Sequence, residues 1–223
     1  MRTTNKRLEG SEMAIPGETV GPGSLMDLEI RDARAHELSV AAFVLSRGMR
    51  DNPLHLAVFG PEPEVRQRKL EDFFRILLAW MPYSPWVGVQ HGTIVAVCGM
   101  GGPGRCQPTS SQKVSIVTRL ARTCGMASTL RALRWLGEWS LRDPREAHWH
   151  LGPLCVDAPL QGRGIGGRLI GEWCKLLDAH RAAGYLETDK EINVDVYKKF
   201  DFETIAEAKI LGTPNWFMWR GAK

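Results

Sequence analysis

The stretch His148-Trp149-His150-Leu151-Gly152-Pro153-Leu154-Cys155-Val156 leads through Asp157 into Gln161-Gly162-Arg163-Gly164-Ile165-Gly166, and this run decides the fold. It reads as an apolar strand, a glycine-rich turn and then a helix whose Leu169, Ile170, Trp173, Cys174, Leu176 and Leu177 recur at helical spacing. The first turn of a helix has N–H groups without internal acceptors, and the helix dipole adds positive potential there. Glycines in front of it allow the backbone to approach a ligand closely, so the turn suits a phosphate or pyrophosphate. No Gly-Lys-Ser/Thr follows, which disfavours a nucleotide triphosphatase. The turn also lies two-thirds of the way along the chain, too late to open a dinucleotide-binding domain.

Working outward, residues 184–188 read as a strand, 192–200 as a short helix, and 202–211 and 215–220 as two final strands with a turn at Gly212–Pro214. Upstream, a strand over 27–33 precedes a helix carrying Leu38, Ala41, Ala42 and Leu45. Residues 51–64 contain three prolines and are expected to be irregular. Leu70, Phe73, Phe74, Leu77, Leu78 and Met81 mark a strong helix that Pro82 ends. Strands over 86–89 and 93–100 flank a His91–Gly92 hairpin turn. Residues 111–141 read as helical, with Leu130, Leu133, Gly137 and Leu141 on one stripe. The pattern predicts an α/β (α+β) domain over 25–223, a mixed sheet of six to seven strands flanked by helices, with a helical insertion at about 108–142. Residues 1–24, rich in Gly, Pro, Ser and Thr, are expected to form a flexible arm.

The chain has 223 residues, of which 43% are hydrophobic and 24% charged, enough for one domain with a substantial core. No apolar run approaches the length of a membrane-spanning helix, and no signal peptide is visible; a cytoplasmic location is expected. The formal charge of +4 is too small for a dedicated nucleic-acid binder. Residues 105–145 do concentrate eight Lys or Arg against two acidic residues, either a solvated helix face or an attraction for a polyanion. Cys98, Cys106, Cys124, Cys155 and Cys174 are odd in number and widely spaced, which argues against a disulfide framework. His148 and His150 share a strand face, yet no third ligand stands near them in sequence, so no metal is expected. By strand alternation both histidines face away from Cys155, which is read as a core thiol.

Residues 154–166 resemble the acetyl-CoA-binding motif of the GCN5-related N-acetyltransferases, Q/R-x-x-G-x-G/A, with Gln161, Gly164 and Gly166 at its defining positions and Val156 as the apolar residue ahead of the turn. Asn193, Tyr197 and Phe202 are similar to the family's second signature, with Asp201 where glycine is usual. The resemblance is strongest over 146–220, and within the family the C-terminal half looks most like the small-molecule branch that includes puromycin N-acetyltransferase.

That likeness implies a sheet splayed between its fourth and fifth strands and acetyl-CoA as cofactor. Leu154, Cys155 and Val156 would pair with the pantetheine arm, and Gln161, Gly162, Arg163, Gly164, Ile165 and Gly166 would hold the pyrophosphate, with Asn193 and Tyr197 beside them. It further implies Tyr197 as general acid toward the leaving thiolate. His150 matches one histidine of the serotonin-type arylalkylamine acetyltransferases and is the candidate general base, with His148 as the second choice and Glu187 and Asp157 as weaker ones. Trp80, Tyr83, Trp86 and Trp216 are the candidate walls of the acceptor pocket. The implied activity is acetyl transfer to the primary amine of a small molecule by direct attack in a ternary complex. The alternatives are a protein lysine or N-terminal acetyltransferase and a non-catalytic acyl-CoA-binding domain. The expected oligomeric state is a homodimer or a monomer.

Overall fold

The computed structural model describes residues 27–223, so the arm expected over 1–24 lies outside the described residues. Seven strands form one sheet: β1 (Glu29–Asp32), β2 (Trp86–Gln90), β3 (Thr93–Gly101), β4 (His148–Val156), β5 (Ala183–Thr188), β6 (Glu203–Ile210) and β7 (Thr213–Arg220). Their order is β1-β2-β3-β4-β5-β7-β6. All neighbours are antiparallel except β4 and β5. A parallel pair needs a crossover, and here α6 (Ile165–Ala179) supplies it. The two-residue hairpins at His91–Gly92 and Leu211–Gly212 have positive φ at both positions, the conformation that matches strand twist.

Helices cover both faces. On one side α1 (Leu38–Gly48), α2 (Pro53–Phe59), α3 (Pro63–Trp80), α4 (Ser110–Cys124) and α5 (Met126–Ser140) enclose a core containing Leu45, Phe74, Trp135, Tyr185 and Phe217. On the other, α6 and α7 (Glu191–Lys198) enclose Leu151, Leu169, Trp173, Tyr197 and Phe202. The mixed, mostly antiparallel sheet with flanking helices is the architecture expected from the sequence. Among the described residues no helix is long and apolar enough to cross a membrane.

Three local expectations are corrected. Residues 51–64 are not irregular: Pro53 and Pro63 each open a helix, where a proline's missing N–H costs nothing. Two distant groups complete that segment. The Asp189 carboxylate, beyond the end of β5, accepts from Leu54 N at 2.8 Å and Asn52 Nδ2 at 3.4 Å. Arg66, 2% exposed, donates to the carbonyls of Arg50, Gly60 and Pro61 at 2.7–2.8 Å and to Asp51 Oδ1 at 2.7 Å. The helical stretch over 111–141 is two helices broken at Gly125, whose φ is 80°. Its Leu130 and Leu141 face outward, while Ser128, Thr129, Ala132 and Trp135 are the buried residues of α5. The final turn lies at Leu211–Gly212, so Pro214 belongs to β7.

Arg66→Ala leaves three carbonyls without a donor and is expected to lower unfolding free energy by roughly 2–4 kcal/mol, read from urea denaturation. Hydrogen bonding from Arg50, with burial opposing it and Arg66 adding to it, holds the Asp51 carboxyl down to about 2. A depressed folded pKa stabilises above the ordinary carboxylate pKa of about 4 and ceases to do so as pH falls through the folded value. The difference in urea midpoint between wild type and Asp51→Asn should therefore shrink between those two values.

Candidate active site

β4 pairs with β5 only from His148 to Leu151. Beyond that point Gly152 and Pro153, joined by a cis peptide bond, stand together opposite the single residue Gly99 of β3. This bulge turns β4 away from β5. It is tightly built, since a Cβ on Gly99 would lie 2.7 Å from both Gly152 O and Pro153 Cδ. Leu154–Val156 then pair with β3 alone, and Glu187 and Thr188 with β7 alone, so a fork opens between β4 and β5. The splay expected between the fourth and fifth strands is present.

The glycine turn closes one end of the fork. Gly162 and Gly164 have φ of 78° and 84°, and Gly164 is the residue before the first turn of α6. Gln161 is fixed beneath it, its Nε2 donating to Gly48 O and Val156 O at 2.9 Å each. That bridge ties together the end of α1, the end of β4 and the start of the turn. At the other side of the fork, Asn193 Nδ2 donates to Thr188 Oγ1 at 3.2 Å and anchors α7 to the end of β5. Tyr197, one turn further along α7, is buried against Phe202 with ring centroids 6.1 Å apart. Burial raises its pKa well above the ordinary phenol value, so its hydroxyl keeps its proton.

A cavity of about 1330 Å³ runs from this turn through the fork to α3, α4 and α5. Of the expected cofactor-binding residues, Leu154, Cys155, Val156, Gln161, Gly162, Gly164, Gly166, Asn193 and Tyr197 line it. Arg163 and Ile165 do not; Ile165 belongs to the core beneath α6 and Arg163 is exposed. The glycine cradle, the unpaired strand edge and the length of this cavity fit a nucleotide-linked thioester such as acetyl-CoA.

Of the residues expected to wall the acceptor pocket, one lines this cavity and three do not. Trp80 lines the cavity, but Tyr83, Trp86 and Trp216 do not. Tyr83 packs on Trp149 at 5.3 Å, while Trp86 and Trp216 pack against the core under α6 and α7. The aromatic lining comes instead from Phe73, Phe74, Trp135 and Trp139, joined by Ile116 and Leu120. The i, i+4 spacing of Trp135 and Trp139 was the available signal, but their destination depends on how α5 packs.

His150 lines the cavity and Glu187 faces it across the fork, with His150 Nε2 2.7 Å from Glu187 Oε2. Burial disfavours a charge on His150, but the Glu187 carboxylate and Cys106 outweigh it and raise its pKa to about 10. His148 lies behind, its Nε2 3.0 Å from Asp143 Oδ1 and 3.8 Å from Cys106 Sγ. Burial likewise opposes its charge and is outweighed by Asp143 and Cys106, so its pKa is also raised to about 10. Burial would raise the Cys106 thiol, but the two histidines bring it down to about 7.

The parity assignment is corrected. The bulge at 152–153 shifts the alternation by one, and Cys155 lies in the core of Tyr185, the ring on which both histidines pack. Cys155 is nevertheless a packed thiol, pushed up to about 12 by burial and the nearby Asp157 charge. Asp157 is paired with Arg47 at 3.1 Å.

The chain belongs to the acetyltransferase (GNAT) family, whose model matches residues 57–202. It is an acyltransferase by that membership. Solved structures agree in fold. A histone acetyltransferase HPA2-related acetyltransferase from Corynebacterium glutamicum superimposes with a TM-score of 0.68 at 20% identity, covering 89% of this chain and 98% of its own. Arylalkylamine N-acetyltransferase 2 from Aedes aegypti gives 0.60 at 14% identity over 88% and 100%. The polyamine N-acetyltransferase of Drosophila melanogaster gives 0.58 at 16% over 87% and 100%. No curated protein matches the chain.

Gly48 shows how closely this site is packed: a Cβ there would lie 2.2 Å from Cys155 Sγ and 2.3 Å from Val156 O. Gly48→Ala should therefore destabilise the protein by roughly 1–3 kcal/mol, as overpacking does, measured by denaturant unfolding.

Proposed function

We propose that the protein transfers an acetyl group from acetyl-CoA to the primary amine of a small molecule with an apolar or aromatic body, by direct attack in a ternary complex. The observation that carries this is the continuity of one cavity from the glycine turn, past Tyr197 and the His150–Glu187 pair, into an aromatic chamber between α3 and α5. The Aedes and Drosophila structures carry names of arylalkylamine and polyamine acetyltransferases, which supports an amine acceptor here.

Acetyl-CoA, when bound, supplies the activated acyl group as a thioester. Backbone N–H groups around Gly162–Gly166 bind its pyrophosphate, and Lys190 and Lys199 on the cavity wall add positive charge. The free edge of Leu154–Val156 offers backbone donors and acceptors to the pantetheine amides. Glu187, held by His150, draws in the acceptor's ammonium group and takes its proton, leaving a neutral nitrogen to attack the carbonyl. His150 orients that carboxylate. A new N–C bond forms as the C–S bond breaks; the Tyr197 hydroxyl gives its proton to the departing sulfur, and the second proton that the nitrogen sheds on becoming an amide restores the phenol. Asp157, engaged by Arg47, takes no part.

The test is thiol release from acetyl-CoA against arylalkylamines, aminonucleosides, polyamines and a lysine peptide, with a blank lacking acceptor. Turnover with at least one small amine, and none with the peptide, is expected; turnover with the peptide alone would favour protein acetylation. Tight calorimetric binding without turnover by any acceptor would favour an acyl-CoA-binding domain. Tyr197→Phe should lower kcat by about 10²-fold with little change in acetyl-CoA affinity. Glu187→Gln should lower kcat/KM for the amine by a similar factor; unchanged kinetics would remove it from the mechanism.

A further inference from the structure

Cys106 and His148 have no part in the transfer, yet they stand beside His150 at the cavity wall. Ligand atoms from Cys106, His148 and His150 lie within 4.8 Å of one another. Cys106 comes from the loop after β3 and the histidines from β4, and Cys106 and His150 both line the cavity. We propose that Cys106, His148 and His150 form a zinc-binding site with a fourth position open to the cavity.

The hydrogen bonding around His148 fixes which ring nitrogen faces the thiol. His148 Nδ1 lies 2.7 Å from the Glu146 carbonyl, which can only accept, so Nδ1 carries the proton. Nε2 is therefore the atom turned toward Cys106 Sγ at 3.8 Å and Asp143 Oδ1 at 3.0 Å, and it offers a ligand lone pair once a metal displaces its proton. Without metal, the buried Asp143 Oδ1 is ion-paired with that nitrogen. A divalent ion bound there would take the place of the ring proton as the positive charge facing the thiol.

Distance and ligand type select zinc. Bond lengths of about 2.0–2.1 Å to nitrogen and 2.3 Å to sulfur at tetrahedral angles put the two ligand atoms about 3.6 Å apart. The observed separation of 3.8 Å for Cys106 Sγ and His148 Nε2 is close to this, and the pairs with His150, all within 4.8 Å, would close further on binding. A thiolate with two imidazoles suits a borderline-soft ion and disfavours magnesium or calcium. Outer partners of the usual kind are in place: the Glu146 carbonyl holds one imidazole and the Glu187 carboxylate the other. Three protein ligands with the fourth place open is also the coordination of zinc that can bind an exogenous group.

The proposal goes beyond the acetyltransferase reading and does not rest on it, because its test reads coordination rather than turnover. Co²⁺ serves as the optical probe for the metal-free full chain. One equivalent should produce a near-ultraviolet sulfur-to-cobalt charge-transfer band with intense visible ligand-field bands, and Zn²⁺ should abolish both. Cys106→Ser should lose the charge-transfer band, and His148→Asn should weaken binding at least tenfold. Unchanged thermal unfolding of each variant in chelator would show that the fold is kept. A zinc absorption-edge spectrum of the wild-type protein needs no variant: it should contain one sulfur at about 2.3 Å and nitrogen at about 2.0 Å. No charge-transfer band, a band that survives Cys106→Ser, or a zinc spectrum without sulfur would overturn the site.

Discussion

The bulge of Gly152 and Pro153 against Gly99 is the constraint on which the site depends. Strands four and five run parallel for four residue pairs and then part. Had β4 continued in register, the edge at Leu154–Val156 and the opposing residues Glu187 and Thr188 would have hydrogen-bonded each other and left nothing for a ligand. The bulge leaves backbone groups unpaired on purpose-built edges, at the entrance to a helix whose first turn has free N–H groups. It also shifts side-chain alternation, so that His148, His150 and Cys155 all face the same helical layer.

That layer is assembled from segments far apart in sequence. Asp189 caps α2, Arg66 gathers the carbonyls around Gly60, and Gln161 joins the end of α1 to the end of β4. Each is a polar group whose hydrogen-bonding demand is met by a different element, so the helices over the cavity are fixed relative to the fork. The basic residues of the central helices fall into several roles within this scheme. Arg131 donates to Val58 O, Arg142 pairs with Glu138, and Arg105 and Arg134 reach the cavity wall.

Asp201 illustrates how a departure from the usual motif is accommodated. It follows α7 with φ of 64°, a left-handed conformation that glycine adopts without cost and that aspartate tolerates better than most residues. Its carboxylate takes a 2.6 Å contact from Lys223 Nζ, which offsets part of the strain at the exposed turn. Phe202 thereby reaches the core beside Trp173, with ring centroids 6.0 Å apart, and the helix carrying Tyr197 is held in place.

Much of the fold was legible because it is written in local patterns. The apolar periodicity of α3 and α6, the hairpin turns and the glycine run each depend on residues within a few positions of one another, and their backbone preferences agree with the final structure. The same holds for Gln161, Gly164, Asn193 and Tyr197, whose spacing marks the glycine-turn end of the cavity. The helical end of the cavity was not legible in this way. Trp135 and Trp139 reach the cavity, while Tyr83, Trp86 and Trp216 do not, because helix packing decides which aromatic face is turned inward. Glu187 acquires its place only from the fork. Cys106 is brought to His148 and His150 by the course of a loop, a matter of tertiary distance that spacing along the chain does not encode. The sequence by itself determined the elements and the glycine turn ahead of α6, because those follow from short-range backbone and side-chain preferences. The tertiary structure alone decided which polar groups converge, because convergence depends on one bulge and on long-range hydrogen bonds between elements.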